Sequence, residues 1–117
     1  MIVQGGSTYI LTNKNFTTLY TGSTVDINSR YIEHKEKLIP NSFSSRYNLN
    51  VMVFIKVFST IQEARFLEKY IKGKSRMWKI ELIKKGNPNW INLGEVLDTP
   101  KLEEHMNLYD DRDFGFV

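Results

Sequence analysis

The chain has 117 residues, enough for one domain with one real core. It has no cysteine, which excludes disulfide staples and thiolate metal sites and fits a reducing cytoplasm. The net charge of +3 is unevenly spread: residues 1–97 hold 14 Lys+Arg against 7 Asp+Glu, and residues 98–117 hold 2 against 6. A basic body points to a polyanionic partner, nucleic acid first. No apolar run approaches the ~20 residues of a membrane span, and the N-terminus lacks the pattern of a secretory signal. The expectation is a cytoplasmic protein with no membrane contact.

In chain order, Met1 to Ser7 with Gly5-Gly6 reads as a flexible lead-in. Thr8–Asn13 and Thr17–Ser23 are rich in β-formers, and Asn13-Lys14-Asn15-Phe16 between them is turn-like, so a hairpin is expected. Alternation puts Tyr9 with Leu11 on one face and Tyr20 with Gly22 on one face. Asp26 is an N-cap for a helix from Ile27 to about Leu38, on which Arg30 and His34 share a face at i,i+4. Pro40 ends that helix, and Asn41 to Asn50 is a polar loop with Phe43, Arg46 and Tyr47. Val51–Phe58 is apolar on both faces and reads as a central strand.

Thr60-Ile61-Gln62-Glu63 has a capping-box pattern and opens a helix to about Lys72, with Ile61, Ala64, Leu67 and Ile71 as its apolar stripe. Ser75 caps a further helix to about Lys85, with Trp78 and Leu82 inward. Asn87-Pro88-Asn89-Trp90 is a turn, and Ile91–Leu97 a short apolar close. The order β-β-α-β-α-α predicts a small α/β domain of the α+β type, a three-stranded sheet packed by helices, over residues 1–97. Residues 98–117 form an acidic tail that is either a helix around Leu102–Tyr109 docked on the domain or a loose segment.

Five pieces then fall in order. Ser7-Thr8-Tyr9 and Tyr20-Thr21-Gly22 occupy the places of two signature triplets. Arg30 follows Gly22 by eight residues and His34 follows Arg30 by four. Glu63-Ala64-Arg65-Phe66-Leu67-Glu68 reads as EAxxxE. With these residues the chain resembles the GIY-YIG nuclease superfamily. Within it, Lys72, Trp78, Lys79 and Asn87-Pro88-x-Trp90 resemble small single-domain bacterial proteins similar to the nuclease domain of the nucleotide-excision-repair C subunit. Two positions depart from the pattern: Ser23 stands where some members carry lysine, and Ser29 where others carry a basic residue.

The resemblance implies a DNA endonuclease, in a setting such as DNA repair, that hydrolyses phosphodiesters with one divalent cation, Mg²⁺ or Mn²⁺. It implies Tyr9 as general base, Tyr20 positioning water or phosphate, Arg30 forking onto phosphate oxygens, and His34 relaying a proton or touching phosphate. Glu68 is implied as the metal ligand, which suits a hard cation that keeps several waters. The basic run with Lys69, Lys72, Lys74, Arg76 and Lys79, joined by Arg46, is expected to track the DNA backbone. The alternative, motivated by Ser23 and Ser29, is a non-catalytic nucleic-acid-binding module of the same fold. Trp78 and Trp90 read as core, and Asn87 as a turn cap.

Overall fold

The computed structural model describes residues 5–37 and 46–115. A three-stranded antiparallel sheet is built from β1 (Gly6–Thr12), β2 (Leu19–Thr24) and β3 (Val51–Phe58), in the order β2-β1-β3. Four α-helices among the described residues pack on it: α1 (Ile27–Lys35), α2 (Ile61–Lys72), α3 (Arg76–Gly86) and α4 (Pro100–Met106). Two short 3-10 turns, Leu93–Val96 and Asp111–Phe114, complete the fold, which is α+β. None of these helices is long and apolar enough to cross a membrane.

The helices start where their caps dictate. Ser29 N–H donates to Asp26 Oδ1 at 3.1 Å, Glu63 N–H to Thr60 Oγ at 3.2 Å and Trp78 N–H to Ser75 Oγ at 3.1 Å. α1 is shorter than the periodicity predicts. Its last turn closes at Glu36, and Lys37 then turns left-handed with φ of 54°. The expected helix end at Leu38 and the loop around Phe43 lie outside the described residues.

Two cores sit on opposite faces of the sheet. Tyr9, Leu11, Met52 and Ile55 pack with Ile27 and Tyr31 of α1, Leu93 and Leu102. On the other face Ile10, Val53 and Phe54 pack with Leu67 and Ile71 of α2, Leu82 and Ile83 of α3, Tyr109 and Phe114. Residues from 98 onward therefore feed both cores.

Two expectations are corrected. The central strand is β1, and β3 lies at an edge. Met52 to Ile55 are fully buried on both faces all the same, because two things hide the edge. A bulge opposite Ile10 and Leu11 pairs Ile10 with Phe54 and Leu11 with Met52, so Val53 and Phe54 both turn toward the α2 face. The free edge is then paired by side chains: Met52 N–H donates to Asn92 Oδ1 at 3.0 Å, Asn87 Nδ2 to Val53 O at 3.1 Å, and Ile55 N–H to His105 Nε2 at 3.3 Å. Second, Gly5-Gly6 is no lead-in. A Cβ at Gly5 would lie 1.9 Å from Ser59 O and one at Gly6 2.8 Å from Ile61 Cα, so both glycines admit the β3–α2 corner against β1. Met1–Gln4 lie outside the described residues.

His105 carries a pH consequence. Ile55 N–H must donate, so Nε2 accepts and the proton sits on Nδ1, which donates to Gly86 O at 3.1 Å. Burial lowers the imidazole pKa, and a second ring proton would face the Ile55 N–H. With the folded value below the unfolded ~6.5, the unfolded chain takes up the proton first, so this contribution is complete above that pH and is lost as pH falls. The expected result is an unfolding free energy, read from urea titrations, that falls on acidification from about pH 7.5 to about pH 5 by at most about 1.4 kcal/mol per pH unit from this group. His105→Ala should be less stable at neutral pH and lose less on acidification.

Candidate active site

The register brings the candidate residues together. Tyr9 pairs with Gly22 and Leu11 with Tyr20 across β1 and β2, which sets the two tyrosines diagonally on one face. Their rings meet edge to face with centroids 6.5 Å apart. His34 comes down from α1 onto both, with its centroid 5.7 Å from Tyr9 and 6.3 Å from Tyr20. Tyr9 Oη lies 3.2 Å from His34 Nε2.

Gly22 is a steric requirement of this cluster. A Cβ there would lie 2.6 Å from Tyr9 Oη and 2.7 Å from its Cζ. The phenol thus lies across the edge strand where a side chain would otherwise stand.

Tyr9 is only 1% exposed. Burial pushes its pKa well above the ordinary ~10, and Tyr20 and Glu68 push it the same way, while the Arg30 guanidinium opposes them by charge and hydrogen bond. Burial and the neighbouring Arg30 charge hold the His34 imidazole below its usual range. At neutral pH the phenol is protonated and the imidazole neutral, so Tyr9 can donate and Nε2 can accept.

Arg30 stands on the same helix face one turn before His34. Its Nε is buried with no hydrogen-bond partner. Glu33 Oε1 is 3.3 Å away, an ion pair by distance without hydrogen-bond geometry. The guanidinium is therefore left with a buried N–H to offer an incoming acceptor.

Glu68 enters from the other side of the sheet. α2 packs on the face opposite Tyr9, tied down by Thr8, whose hydroxyl donates to Ala64 O at 2.7 Å, one turn before Glu68. The Glu68 side chain, 20% exposed, meets β2 at its edge, where Ser23 Oγ donates to Oε1. Lys72 Nζ takes Oε2 at 2.5 Å and sits over the Tyr20 ring at 6.0 Å. Sequence reasoning missed Thr8 and Ser23 as supports of Glu68. Ser23 faces α2 by strand alternation, and that signal becomes readable once the hairpin register is fixed.

Of the basic residues expected to track the DNA backbone, Lys72 alone lies within this cluster. Lys69 is exposed on α2, Lys74 lies 4.4 Å over the Tyr70 ring, and Lys79 is half-buried on α3. Arg76 donates to Phe16 O at 3.3 Å, at the hairpin tip. Arg46 is exposed. No group of three or more His, Asp or Glu that would hold a metal unaided occurs among the described residues.

A family model of the GIY-YIG catalytic domain matches residues 5–81, more than half of the chain. The chain belongs to the GIY-YIG family. No curated protein and no solved structure matches it. The GIY-YIG match runs from the start of β1 into α3, so Tyr9, Tyr20, Arg30, His34 and Glu68 all fall inside it. The family is one of nucleases, which implies a nucleic-acid substrate.

Gly22→Ala tests the steric argument without touching a titratable group. The added methyl must displace the Tyr9 phenol, an overpacking cost on the order of 2 kcal/mol. Chemical denaturation should show that loss, and the Tyr9 ring NMR shifts should change with it.

Proposed function

We propose that this GIY-YIG protein is an endonuclease that hydrolyses DNA phosphodiesters with a divalent cation, Mg²⁺ or Mn²⁺, and with Tyr9 as general base. The observation that carries this reading is the contact of Tyr9 Oη with His34 Nε2 at 3.2 Å, with the Arg30 guanidinium favouring the ionised phenol against burial. Tyr9 passes its proton to the neutral His34 Nε2 and takes one from water, whose oxygen then forms the new bond to phosphorus as the bond to the leaving oxygen breaks. Arg30 donates its unpartnered Nε–H and the rest of its fork to the non-bridging oxygens, where charge builds up. Tyr20, packed on both Tyr9 and His34, keeps the phenol and imidazole in register.

The site chemistry fits a hard cation. Glu68 presents a carboxylate whose charge acts on the Tyr9 phenol and which already pairs with one cation, the Lys72 ammonium. When bound, such a cation supplies charge stabilisation for the leaving oxygen. Ser23 holds Glu68 in place for it. Repair of damaged DNA is a setting that fits this chemistry.

One observation favours the second reading, a nucleic-acid-binding module that does not cleave: the Tyr9 phenol is buried and its pKa raised. Incubation with Mg²⁺ or Mn²⁺ and supercoiled, duplex, branched and single-stranded DNA separates the two. Cleavage that falls about 10²-fold or more in Tyr9→Phe, Arg30→Ala and Glu68→Ala supports the nuclease. Salt-sensitive binding of DNA with no cleavage of any form supports the module.

The His34 role predicts a pH profile. The imidazole must be neutral to accept, and its pKa is lowered. Single-turnover rates should therefore hold steady as pH falls to about 6.5 and drop only below that. A loss already complete near neutral pH would remove His34 from the proton path.

A further inference from the structure

Two turns of the chain share one unusual construction. Asn13-Lys14-Asn15-Phe16 joins β1 to β2, and Asn87-Pro88-Asn89-Trp90 follows α3. In each, the aromatic N–H donates to the carbonyl of the first asparagine, at 2.9 Å for Phe16 and 3.0 Å for Trp90. In each, that asparagine's Oδ1 accepts from the residue after the aromatic, Thr17 N–H at 2.8 Å and Ile91 N–H at 3.0 Å.

Each turn then puts its aromatic residue in the left-handed region, with φ of 58° at Phe16 and 53° at Trp90. Turn chemistry asks for Gly or Asn at such a position, and a bulky side chain there is strained. Lys37, Asn48 and Asp98 are the other non-glycine residues with positive φ among those described, and none is aromatic. The two strained rings face each other with centroids 5.0 Å apart. Trp90 is half-buried against the α2-face core, while Phe16 is 41% exposed. Strain of this kind, held twice to bring two rings together at the surface, marks a place where the rings are needed.

The surroundings say what for. Beside the Phe16 turn lies an open cleft of about 410 Å³ between that turn and residues 47–50, lined by Asn13, Lys14, Asn15, Tyr47, Asn48 and Asn50. Its walls hold the Asn15 and Asn50 amides, which can pair with a base edge, one phenol and one ammonium, while the Asn13 amide is held in the turn and Asn48 Oδ1 accepts from Lys37; no carboxylate lines it. Arg76 is fixed at the same tip through Phe16 O. β2 begins three residues after Phe16, and its second residue is Tyr20 of the candidate site.

We propose that the Phe16–Trp90 pair and the amide-lined cleft beside it bind an unpaired nucleobase of the nucleic-acid strand that enters the candidate site. Phe16 offers the stacking face, Lys14 and Arg76 neutralise the flanking phosphates, and Asn15 and Asn50 meet the base edge. This rests on the reading of the substrate as nucleic acid, and it adds a preference for DNA with a single-stranded segment.

The test is equilibrium binding in EDTA, so that turnover plays no part. The probes are a fluorescein-labelled duplex with an oligothymidine overhang and the same duplex with blunt ends. Wild-type protein is expected to favour the overhang. Phe16→Gly removes the backbone strain together with the ring contact, effects of opposite sign on stability, and should fold, as circular dichroism can check. In that variant the ratio of overhang to blunt affinity should fall about tenfold. Phe16→Tyr should restore the ratio. An unchanged ratio in Phe16→Gly overturns this proposal and leaves the nuclease reading standing. Binding of no DNA form by wild-type protein overturns both.

Discussion

Tyr9 lies across β2 only because the residue opposite it has no side chain. That single steric allowance organises the chain's first half. The phenol fills the space over Gly22, reaches His34 Nε2 and leaves Tyr20 on the diagonal. A ring in this position seals the strand surface at the price of its own hydration, which is why its pKa is raised. On the nuclease reading, burial and reactivity are thus opposed in one residue. Arg30 is the compensating charge among the groups that act on it, and His34 supplies a neutral acceptor at hydrogen-bond distance. The helix that carries both starts at Asp26, two residues after β2 ends, so one short connection places them.

The opposite edge of the sheet depends on the C-terminal part of the chain. Among the described residues β3 has no fourth strand to pair with, yet its central residues are fully buried. Asn87, Asn92 and His105 supply side-chain partners for successive backbone groups in place of a strand. A buried backbone group left without a partner costs about 1–3 kcal/mol, so these three side chains together carry a large share of a stability of roughly 5–15 kcal/mol. The acidic segment after residue 97 is tied down as well. Leu102, Tyr109 and Phe114 are buried, and Asp113 pairs with Lys85 of α3 at 2.7 Å. Its charge is partly spent within the fold.

Local chemistry in the sequence was legible. Asp26, Thr60 and Ser75 announce their helices because a cap is a contact between neighbours in sequence. The hairpin was legible for the same reason, and the order of Tyr9, Tyr20, Arg30, His34 and Glu68 pointed to the family. What stayed hidden depends on distant partners. The unbroken apolar run of β3 suggested a central strand, whereas a bulge and three side chains from beyond residue 86 produce the same burial. Gly5-Gly6 looked like a flexible lead because glycine serves mobility and close packing alike. Ser23 looked like a lost lysine, since nothing local shows that its hydroxyl meets a carboxylate 45 residues away. Phe16 looked like an ordinary turn residue, because sequence alone does not reveal its backbone angle.

Ser23 and Lys72 change how Glu68 is understood. Each carboxylate oxygen has its own donor, one a neutral hydroxyl and one an ammonium. The two grips differ in strength against a competing cation. Lys72 is 52% exposed, and a pair with so solvated a partner is worth on the order of 1 kcal/mol or less. An ammonium on a flexible stem swings away at little cost, still within reach of solvent. The Ser23 hydroxyl sits on a strand, cannot follow, and adds no charge to be displaced. On the nuclease reading, a serine at this position fixes the orientation of the carboxylate while leaving its charge for the metal. A lysine at position 23 would put a second ammonium on the same oxygens. The departure at Ser23 is then compatible with metal binding at Glu68, and cationic help for the phenol falls to Arg30.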